Sequence, residues 1–311
     1  MTMLKWITKD TNIDFMKARK FTYVLSAVLI ILSCLSIYFK SFNFGIDFSG
    51  GVLMEIKSEQ PINVEEIRSK LSVLKLDELN LQTIGEKGDE LMIRAQAENA
   101  NEEAQRKAVV DIKKILGSSY EYRRVENVGP QVGDELKMAG IIASVLAMVA
   151  IAIYIWVRFE WQFALGALIG LFHDILITVG LLSFFRFDFS LTTVAAILTL
   201  VGYSINDTVV NYDRIRENLK KYRKMPQLDL LNKSINDIFS RTILTGVTTL
   251  IAVLPLYFWG GDALASFSFT ILVGLIIGTY SSIYICTAFL NLFDLRAVEH
   301  KDEGNYFGTI G

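Results

Sequence analysis

Apolar residues occur along this chain in long blocks that are separated by charged segments. An apolar run of about 18 or more residues is long enough to cross the roughly 30 Å of hydrocarbon in a bilayer as a helix. Helix is the expected form because a lone span must satisfy its own backbone hydrogen bonds. Six spans are predicted: Phe21–Phe39, Met138–Val157, Gln162–Phe185, Phe189–Tyr212, Thr242–Trp259 and Ala263–Phe293.

The stretch 40–137, between the first two spans, has a different pattern, in which short strand-like runs alternate with segments of helical periodicity. Strands are predicted at Val52–Lys57, Leu79–Ile84, Glu90–Ala95 and Tyr120–Asn127, and helices at Val64–Leu74 and Asn101–Leu116. Asn63 is a plausible N-cap of the first helix. The order βαββαβ is the ferredoxin-like pattern. The predicted fold class is therefore an α-helical polytopic membrane protein of six transmembrane helices with one α+β ferredoxin-like periplasmic domain.

Composition supports a membrane protein, because 52% of the residues are hydrophobic and 21% are charged. A net charge of −2 gives no reason to expect nucleic-acid binding. Lys and Arg concentrate in the tail 1–20 and in the loop 213–237, and the link between spans two and three carries Arg158. Short basic segments of this kind mark the cytoplasmic side. Both tails, 1–20 and 294–311, are predicted to be cytoplasmic. The domain 40–137 is predicted to lie in the periplasm, and the spans after the first occupy 138–293.

A charged residue at mid-span costs roughly 2.5–3.5 kcal/mol on insertion scales, so the charges inside the spans are candidate functional groups. Span four contains Asn206 and Asp207, and Arg241 begins span five. The two spans run antiparallel, so Asp207 and Arg241 come out at similar depth, and an ion pair is the expected arrangement. Two interpretations stay open: a permanent structural ion pair, or a carboxylate that takes up and releases a proton.

His173 and Asp174 are adjacent in span three. Neighbours on a helix point about 100° apart, so these two are not expected to pair with each other. Helix–helix hydrogen bonding is the favoured interpretation for His173, and Asp174 is a second candidate for a proton relay.

Glycines predict close helix packing in spans three and six and a tight turn after the first span. Gly166 with Gly170, and Gly274 with Gly278, have the GxxxG spacing that lets membrane helices approach closely. The segment Phe44–Gly51 is glycine-rich but lacks the lysine and helix of a phosphate-binding loop, so a tight turn is predicted.

Several motifs of this chain stand in a fixed order. They are Phe44–Gly51, Val128–Leu136, His173–Asp174, Gly202–Val210 and Asp213–Asn218, followed by Arg241. Together they resemble the SecF family of the bacterial protein-export machinery, which belongs with the resistance-nodulation-division superfamily. The resemblance runs from Phe44 to the end of span six.

The resemblance implies an inner-membrane subunit that pairs with SecD and works with the SecYEG channel, YajC and a preprotein driven by SecA. It implies that the proton gradient supplies the energy for late-stage translocation, with no bound cofactor or metal, and that the chain is not an enzyme. It places Asp207 and Arg241 on the proton pathway, with Asn206 and Asp174 as further candidates, and it implies that SecD contributes another aspartate.

Three other functions stay open. The first is a stand-alone proton-driven exporter of small molecules or lipids from the same superfamily, although such transporters usually have twelve spans. The second is a passive assembly factor whose charges are structural. The third is an intramembrane enzyme, for which the sequence offers no metal motif, catalytic serine context or cofactor loop.

Overall fold

The computed structural model describes residues 11–74, 76–85, 87–97 and 102–296. The outer parts of the two predicted tails lie outside these residues. Contacts divide the chain into two compact units. One unit is formed by residues 43–145 with 188–194, and the other by the described parts of 1–42, 146–187 and 195–311.

Helices dominate the structure, and strands occur mainly in one sheet. In chain order the elements are α1 (Arg19–Lys40), β1 (Asn43–Phe44), α2 (Ile46–Ser49), β2 (Gly51–Lys57), α3 (Val64–Leu71), β3 (Leu76–Ile84), β4 (Glu90–Ala97), α4 (Glu102–Leu116), β5 (Glu121–Val128), α5 (Pro130–Arg158), α6 (Trp161–Phe185), β6 (Asp188–Phe189), α7 (Leu191–Lys221), α8 (Gln227–Trp259), α9 (Asp262–Ser281) and α10 (Thr287–Leu290). A π-helical segment, Ser282–Cys286, joins α9 to α10.

Within the described residues, six helical stretches are long and apolar enough to cross a membrane. They correspond to α1, α5, α6, α7, α8 and the run from α9 to α10, which confirms the six predicted spans. More than half of the apolar stretch of α6 (56%) is buried inside the protein, whereas the figure for α5 is 6%. Helix α6 is therefore a central helix, packed against α1 and α9, and α5 presents most of its apolar surface outward.

Three of the spans are clearly longer than predicted, and one of them is α5, which begins at Pro130 rather than at Met138. Helix α7 continues to Lys221 and α8 already begins at Gln227, so most of the predicted loop 213–237 is helical and that boundary was wrong. The two extensions bury one face, where Asn218 donates from Nδ2 to Ser234 Oγ at 2.9 Å. Packing of this kind lets a helix continue through a strongly charged sequence, which hydropathy alone reads as a loop.

The predicted close packing at the GxxxG glycines is confirmed. A Cβ on Gly170 would lie 2.2 Å from Cys286 Sγ, and a Cβ on Gly274 would lie 2.4 Å from Leu200 Cδ2. These distances leave no room for a methyl group, so the helices approach each other at van der Waals distance because of the glycines.

The four-stranded sheet has the order β3-β4-β2-β5, with every neighbouring pair antiparallel. Helices α3 and α4 lie between strands in the chain, so the element order is β-α-β-β-α-β. Asn63 Oδ1 accepts from the backbone N–H groups of Glu65 and Glu66, which confirms the predicted N-cap. The core is apolar and fully buried at Val52, Met54, Ile56, Ile67, Leu71, Leu91, Ile93 and Ile112.

The glycine-rich segment forms the short helix α2 followed by two glycines with positive φ, Gly50 (70°) and Gly51 (114°). A Cβ on Gly51 would lie 2.9 Å from the backbone oxygen of Ala95, so this position requires glycine for space as well as for conformation. Asp47 Oδ2 accepts from the backbone N–H of Leu191 at 2.9 Å and thereby satisfies the first turn of α7.

A polar cluster lies beside that turn. Asp188 forms an ion pair with Arg94 and accepts from Asn43 Nδ2 at 2.6 Å. Burial raises the pKa of Asp188 above its ordinary value, and the Arg94 guanidinium opposes part of that rise. The cluster joins β4 of the sheet to the parallel pair of β1 and β6.

The segment before α1 is held against α8 by two asparagines. Asn236 accepts at Oδ1 from Ile13 N (2.9 Å) and donates from Nδ2 to Ile13 O (2.8 Å), while Asn232 Oδ1 accepts from Phe15 N (2.7 Å). We call Ile13, Phe15, Asn232 and Asn236 the N-terminal amide ladder. In this ladder, side-chain amide groups of α8 form the hydrogen bonds to the backbone of the N-terminal segment that a neighbouring β-strand would form with its own backbone.

Candidate functional site

Helix α7 carries Asn206 and Asp207 on different sides. The Asp207 side chain is buried, with 6% of the residue exposed, whereas Asn206 is exposed. The Asp207 Oδ2 atom is buried and has no hydrogen-bond partner among the residues that the structure describes. A buried carboxylate oxygen without a donor is unfavourable, and such groups in a native structure call for an explanation.

Arg241 lies on α8 and is exposed. Because α8 begins at Gln227, Arg241 lies inside the helix and not at its beginning as predicted. Among the described residues, Asp207 and Arg241 form no ion pair with each other or with another side chain within 4 Å, so the predicted contact pair is not formed.

On α8 several further exposed positions are apolar, such as Leu244, Val247 and Ile251, but other exposed positions on the same two helices are small or polar. On α7 they are Thr199 and Gly202, and on α8 the exposed Thr248 follows Arg241 by two turns. A Cβ on Gly202 would meet no atom within 4 Å. We call Thr199, Gly202, Asn206, Arg241 and Thr248 the open polar positions. On α7 these positions are three and four residues apart, and on α8 they are seven residues apart, so each set lies along one side of its helix.

His173 and Asp174 lie on α6 and are both buried, with 4% and 0% exposure. His173 Nδ1 and Asp174 Oδ1 are 2.9 Å apart, so the expectation that these neighbours do not pair was wrong. The reason is geometric. Cβ directions 100° apart still allow an imidazole nitrogen and a short carboxylate to meet when both side chains bend into one buried space.

The pair is surrounded by hydroxyl groups from three other helices. Asp174 Oδ2 accepts from Ser204 Oγ of α7 (2.5 Å) and from Ser281 Oγ of α9 (2.8 Å). On the other side, His173 Nε2 lies 3.0 Å from Ser26 Oγ of α1. The helix–helix hydrogen bonding predicted for His173 is therefore confirmed.

The chain of hydrogen bonds continues from Ser26. Its Oγ lies 3.0 Å from Tyr280 Oη, and the Tyr280 hydroxyl donates to the backbone oxygen of Thr22 at 2.8 Å. We call His173, Asp174, Ser26, Tyr280, Ser204 and Ser281 the closed polar network. Its serines and its tyrosine were not predicted from the sequence. The sequence feature that could have indicated them is a small polar residue within an otherwise apolar span. Ser204, for example, lies one helical turn before Asp207.

The π-helical segment adjoins this network. Its wider turn is closed by Thr287, whose hydroxyl donates to the Ser282 backbone oxygen at 2.9 Å, and Asn211 of α7 donates to the same oxygen at 3.1 Å. Single π turns inside α-helices are frequent at functional sites. In the part of the chain that the structure describes, no three His, Cys, Asp or Glu side chains lie together in a way that could hold a metal ion.

The fold and these sites define a multi-pass membrane protein that holds ionisable groups inside its spans. Residues 108–296 match the family "Protein export membrane protein SecD/SecF, C-terminal", and residues 36–62 match the "SecD/SecF GG Motif". The second match contains the two glycines with positive φ. The chain belongs to the SecD/SecF family.

Relatives of similar length agree with this assignment. The chain is 44% identical over 302 residues to the protein translocase subunit SecF of Rickettsia conorii, covering 96% of this chain and 97% of the relative. It is 45% identical over 300 residues to the subunit of the same name from Rickettsia bellii, covering 95% and 98%.

Two solved structures resemble the fold. A crystal structure of SecDF, a translocon-associated membrane protein from Thermus thermophilus, matches with a TM-score of 0.81 at 32% identity over 94% of this chain. SecDF in its super-membrane-facing form matches with a TM-score of 0.66 at 31% identity over 96%. The chain spans only 39% and 40% of the length of those two longer proteins.

Proposed function

We propose that this chain is the SecF-type subunit of a bacterial Sec export complex, in which a SecD-type partner and the chain together use the proton gradient to promote late-stage translocation of a preprotein. Membership of the SecD/SecF family supports the export role. The proton coupling is argued from the charges inside the spans.

The open polar positions carry this proposal. An arginine that faces lipid within a span costs roughly 2.5–3.5 kcal/mol at the helix centre, and such residues almost always face protein or a water-filled cavity. Arg241 is exposed and has no ion-pair partner within the described residues, while Asp207 has a bare buried oxygen. A second six-helix bundle on this face would supply the missing contacts.

The two longer SecDF structures support such a partner. Because this chain matches about two fifths of each SecDF chain, the remaining length has room for a SecD-type bundle in the same molecule. In our proposal a separate SecD-type subunit takes that place, with SecYEG, YajC and the SecA-driven preprotein as further members of the machinery.

The proton step uses the charge states of Asp207. With the carboxylate ionised, Arg241 attracts it, and uptake of one proton by an Asp207 oxygen removes that attraction. Moving one elementary charge through 100 mV corresponds to about 2.3 kcal/mol, which is enough to shift the balance between two helix arrangements. Asn206, beside Asp207 on the exposed side, would orient water or a partner group, and Asp174 would be a secondary relay group.

The sheet-containing unit completes the proposal. Its β-α-β-β-α-β order and the strand order β3-β4-β2-β5 support a ferredoxin-like fold for this domain. The basic residues of the short loops favour cytoplasmic termini and a periplasmic position for this domain. There it would contact the emerging preprotein.

The test compares two aspartates on the same helix. Asp207→Asn removes the proton-binding oxygen, and Asp213→Asn changes a half-exposed carboxylate that pairs with Arg158. In vesicles containing the Sec channel, SecA and the SecD-type partner, we expect Asp207→Asn to abolish the stimulation of export by an imposed proton gradient. Asp213→Asn should retain it.

Two controls define the outcome. The Asp207→Asn chain should accumulate and co-purify with its partner as the unchanged chain does, so that the loss concerns coupling. Export that still responds fully to the gradient in Asp207→Asn vesicles would refute the proposal.

A further inference from the structure

The closed polar network contains His173, which has no part in the proposed coupling, beside Asp174, to which that proposal gives only a secondary role. Every member of the network is within hydrogen-bond distance of another member. Each hydrogen bond contains one proton, which lies between its two heavy atoms. The distances therefore restrict how many protons the network holds.

The hydrogen bonds of Tyr280 fix the position of the Ser26 proton. The backbone oxygen of Thr22 only accepts, so the Tyr280 hydroxyl donates its proton there. Tyr280 Oη must then accept from Ser26, because the 3.0 Å contact between the two oxygens needs a proton. Ser26 has one proton, which this bond uses.

The contacts of His173 fix the protons at its two ring nitrogens. Ser26 Oγ has no proton left for His173, so the 3.0 Å contact between them requires a proton on His173 Nε2. On the other side of the ring, Nδ1 and Asp174 Oδ1 are 2.9 Å apart. Without a proton between them, two lone pairs would face each other, so a second proton lies there.

We propose that His173 and Asp174 form a second proton-binding site of this chain, a buried pair that holds two protons and is electrically neutral. The two protons are consistent with either an imidazolium beside a carboxylate or a neutral imidazole beside a carboxylic acid. Both forms have zero net charge, which suits a site from which water is excluded, because an uncompensated buried charge is strongly unfavourable.

The surroundings link this site to the proposed one. Ser204 donates to Asp174 Oδ2 and stands three residues before Asp207 on α7, and residues three apart on a helix are neighbours. The titratable groups facing the pair are Tyr280 of α9 and Cys286 of the π-helical segment, with Asp207 one turn away on α7. Helix α1 presents Ser26.

This arrangement gives the pair a defined response to movement of α7. The Ser204 hydroxyl donates to Asp174, whereas the Ser281 hydroxyl has one proton for two acceptors, Asp174 Oδ2 at 2.8 Å and the Gly278 backbone oxygen at 3.1 Å. The Ser204 bond therefore does most to stabilise negative charge on Asp174 and to favour the imidazolium–carboxylate form. If α7 moves and the Ser204 bond breaks, the proton on Nδ1 transfers to Asp174 Oδ1, and the ring and the carboxyl both become neutral. No charge enters or leaves the site. The inference deepens the proposed proton coupling by adding a position where a helix movement is registered.

Nitrogen NMR of the histidine ring tests the inference directly. The chain has two histidines, so a full-length His300→Gln chain labelled with ¹⁵N-histidine and placed in lipid bilayers gives the signals of His173 alone. At neutral pH we expect a directly bonded proton on Nε2. A bare Nε2, with the proton of a neutral ring on Nδ1, would overturn the inference.

Two pairs of variants make the measurement specific. Ser26→Ala removes the acceptor of Nε2–H and should shift its resonance, whereas Ser33→Ala changes another buried serine of α1 and should leave it in place. Asp174→Asn removes the carboxylate charge that compensates an imidazolium, so the ring should be neutral in this variant, with its one proton on Nε2 and none on Nδ1. An Nδ1 that stays protonated in this variant would refute the shared proton. These readouts are independent of export, so the inference can fail while the proton coupling at Asp207 holds.

Discussion

The two polar sites inside the spans contain the same kinds of groups but differ in how those groups are partnered. Asp174 has a hydrogen-bond partner on each of its oxygens and is fully buried, and it is surrounded by α1, α7 and α9 of its own chain. Asp207 has a bare oxygen, and Arg241 is exposed. The first site is complete within the chain, and the second needs something outside it. Stability and assembly are therefore expected to depend on different aspartates.

The largest expected effect separates the two aspartates by stability. Asp174→Ala leaves His173 and two serine hydroxyls buried without their partner, and removing one member of a buried pair costs about 3–5 kcal/mol. Asp207→Ala removes a group with no hydrogen-bond partner and should change the free energy of unfolding far less. Chemical unfolding of the chain alone in detergent measures both. Equal losses for the two variants would contradict the comparison.

The next effect concerns the packing around each site. Gly170→Ala places a methyl group 2.2 Å from Cys286 Sγ, and overpacking of this kind costs about 1–3 kcal/mol. Gly202→Ala, at an open polar position, meets no atom within 4 Å and should be neutral or slightly stabilising. The same unfolding assay applies.

A double variant identifies the cause of the Gly170→Ala loss. Combining it with Cys286→Ala removes the sulfur that the new methyl group meets, so the two losses should be less than additive. Full additivity would show that the loss comes from another source.

The smallest effect extends the comparison to a partnered carboxylate outside the spans. Asp188 has a raised pKa because of burial, so its folded form binds a proton more tightly than its unfolded form. Its contribution to stability is present below the unfolded pKa of about 3.9 and is lost as pH rises through the folded pKa. Asp188→Asn should therefore flatten the pH dependence of thermal unfolding across that acidic window. An unchanged pH profile would argue against this.

The hydropathy pattern was sufficient for the six spans, because the length of an apolar run and the bilayer thickness fix them independently of the rest of the fold. The N-cap at Asn63 was also accessible, since capping depends on neighbours in the chain. The SecD/SecF signature identified the family, and the comparisons confirm it.

The sequence could not reveal how side chains from distant helices meet. The pairing of His173 with Asp174 depends on rotamers that α1, α7 and α9 impose. The helical extensions of α7 and α8 are charged, and each is stabilised by the other, so neither is visible alone. The contact of Asp47 with Leu191 joins segments that are far apart in the chain. The roles of Asp207, Arg241, Asn206 and Asp174 in proton movement stay predictions.

The N-terminal amide ladder has a consequence for the order in which the protein is made. Ile13 and its partner Asn236 are 223 positions apart, so the ribosome completes the first long before the second. At a synthesis rate of about 5–20 residues per second, roughly 10–45 s pass between the synthesis of Ile13 and that of Asn236. During that interval the start of the nascent chain is free to contact targeting or insertion factors, and synthesis of α8 ends that opportunity.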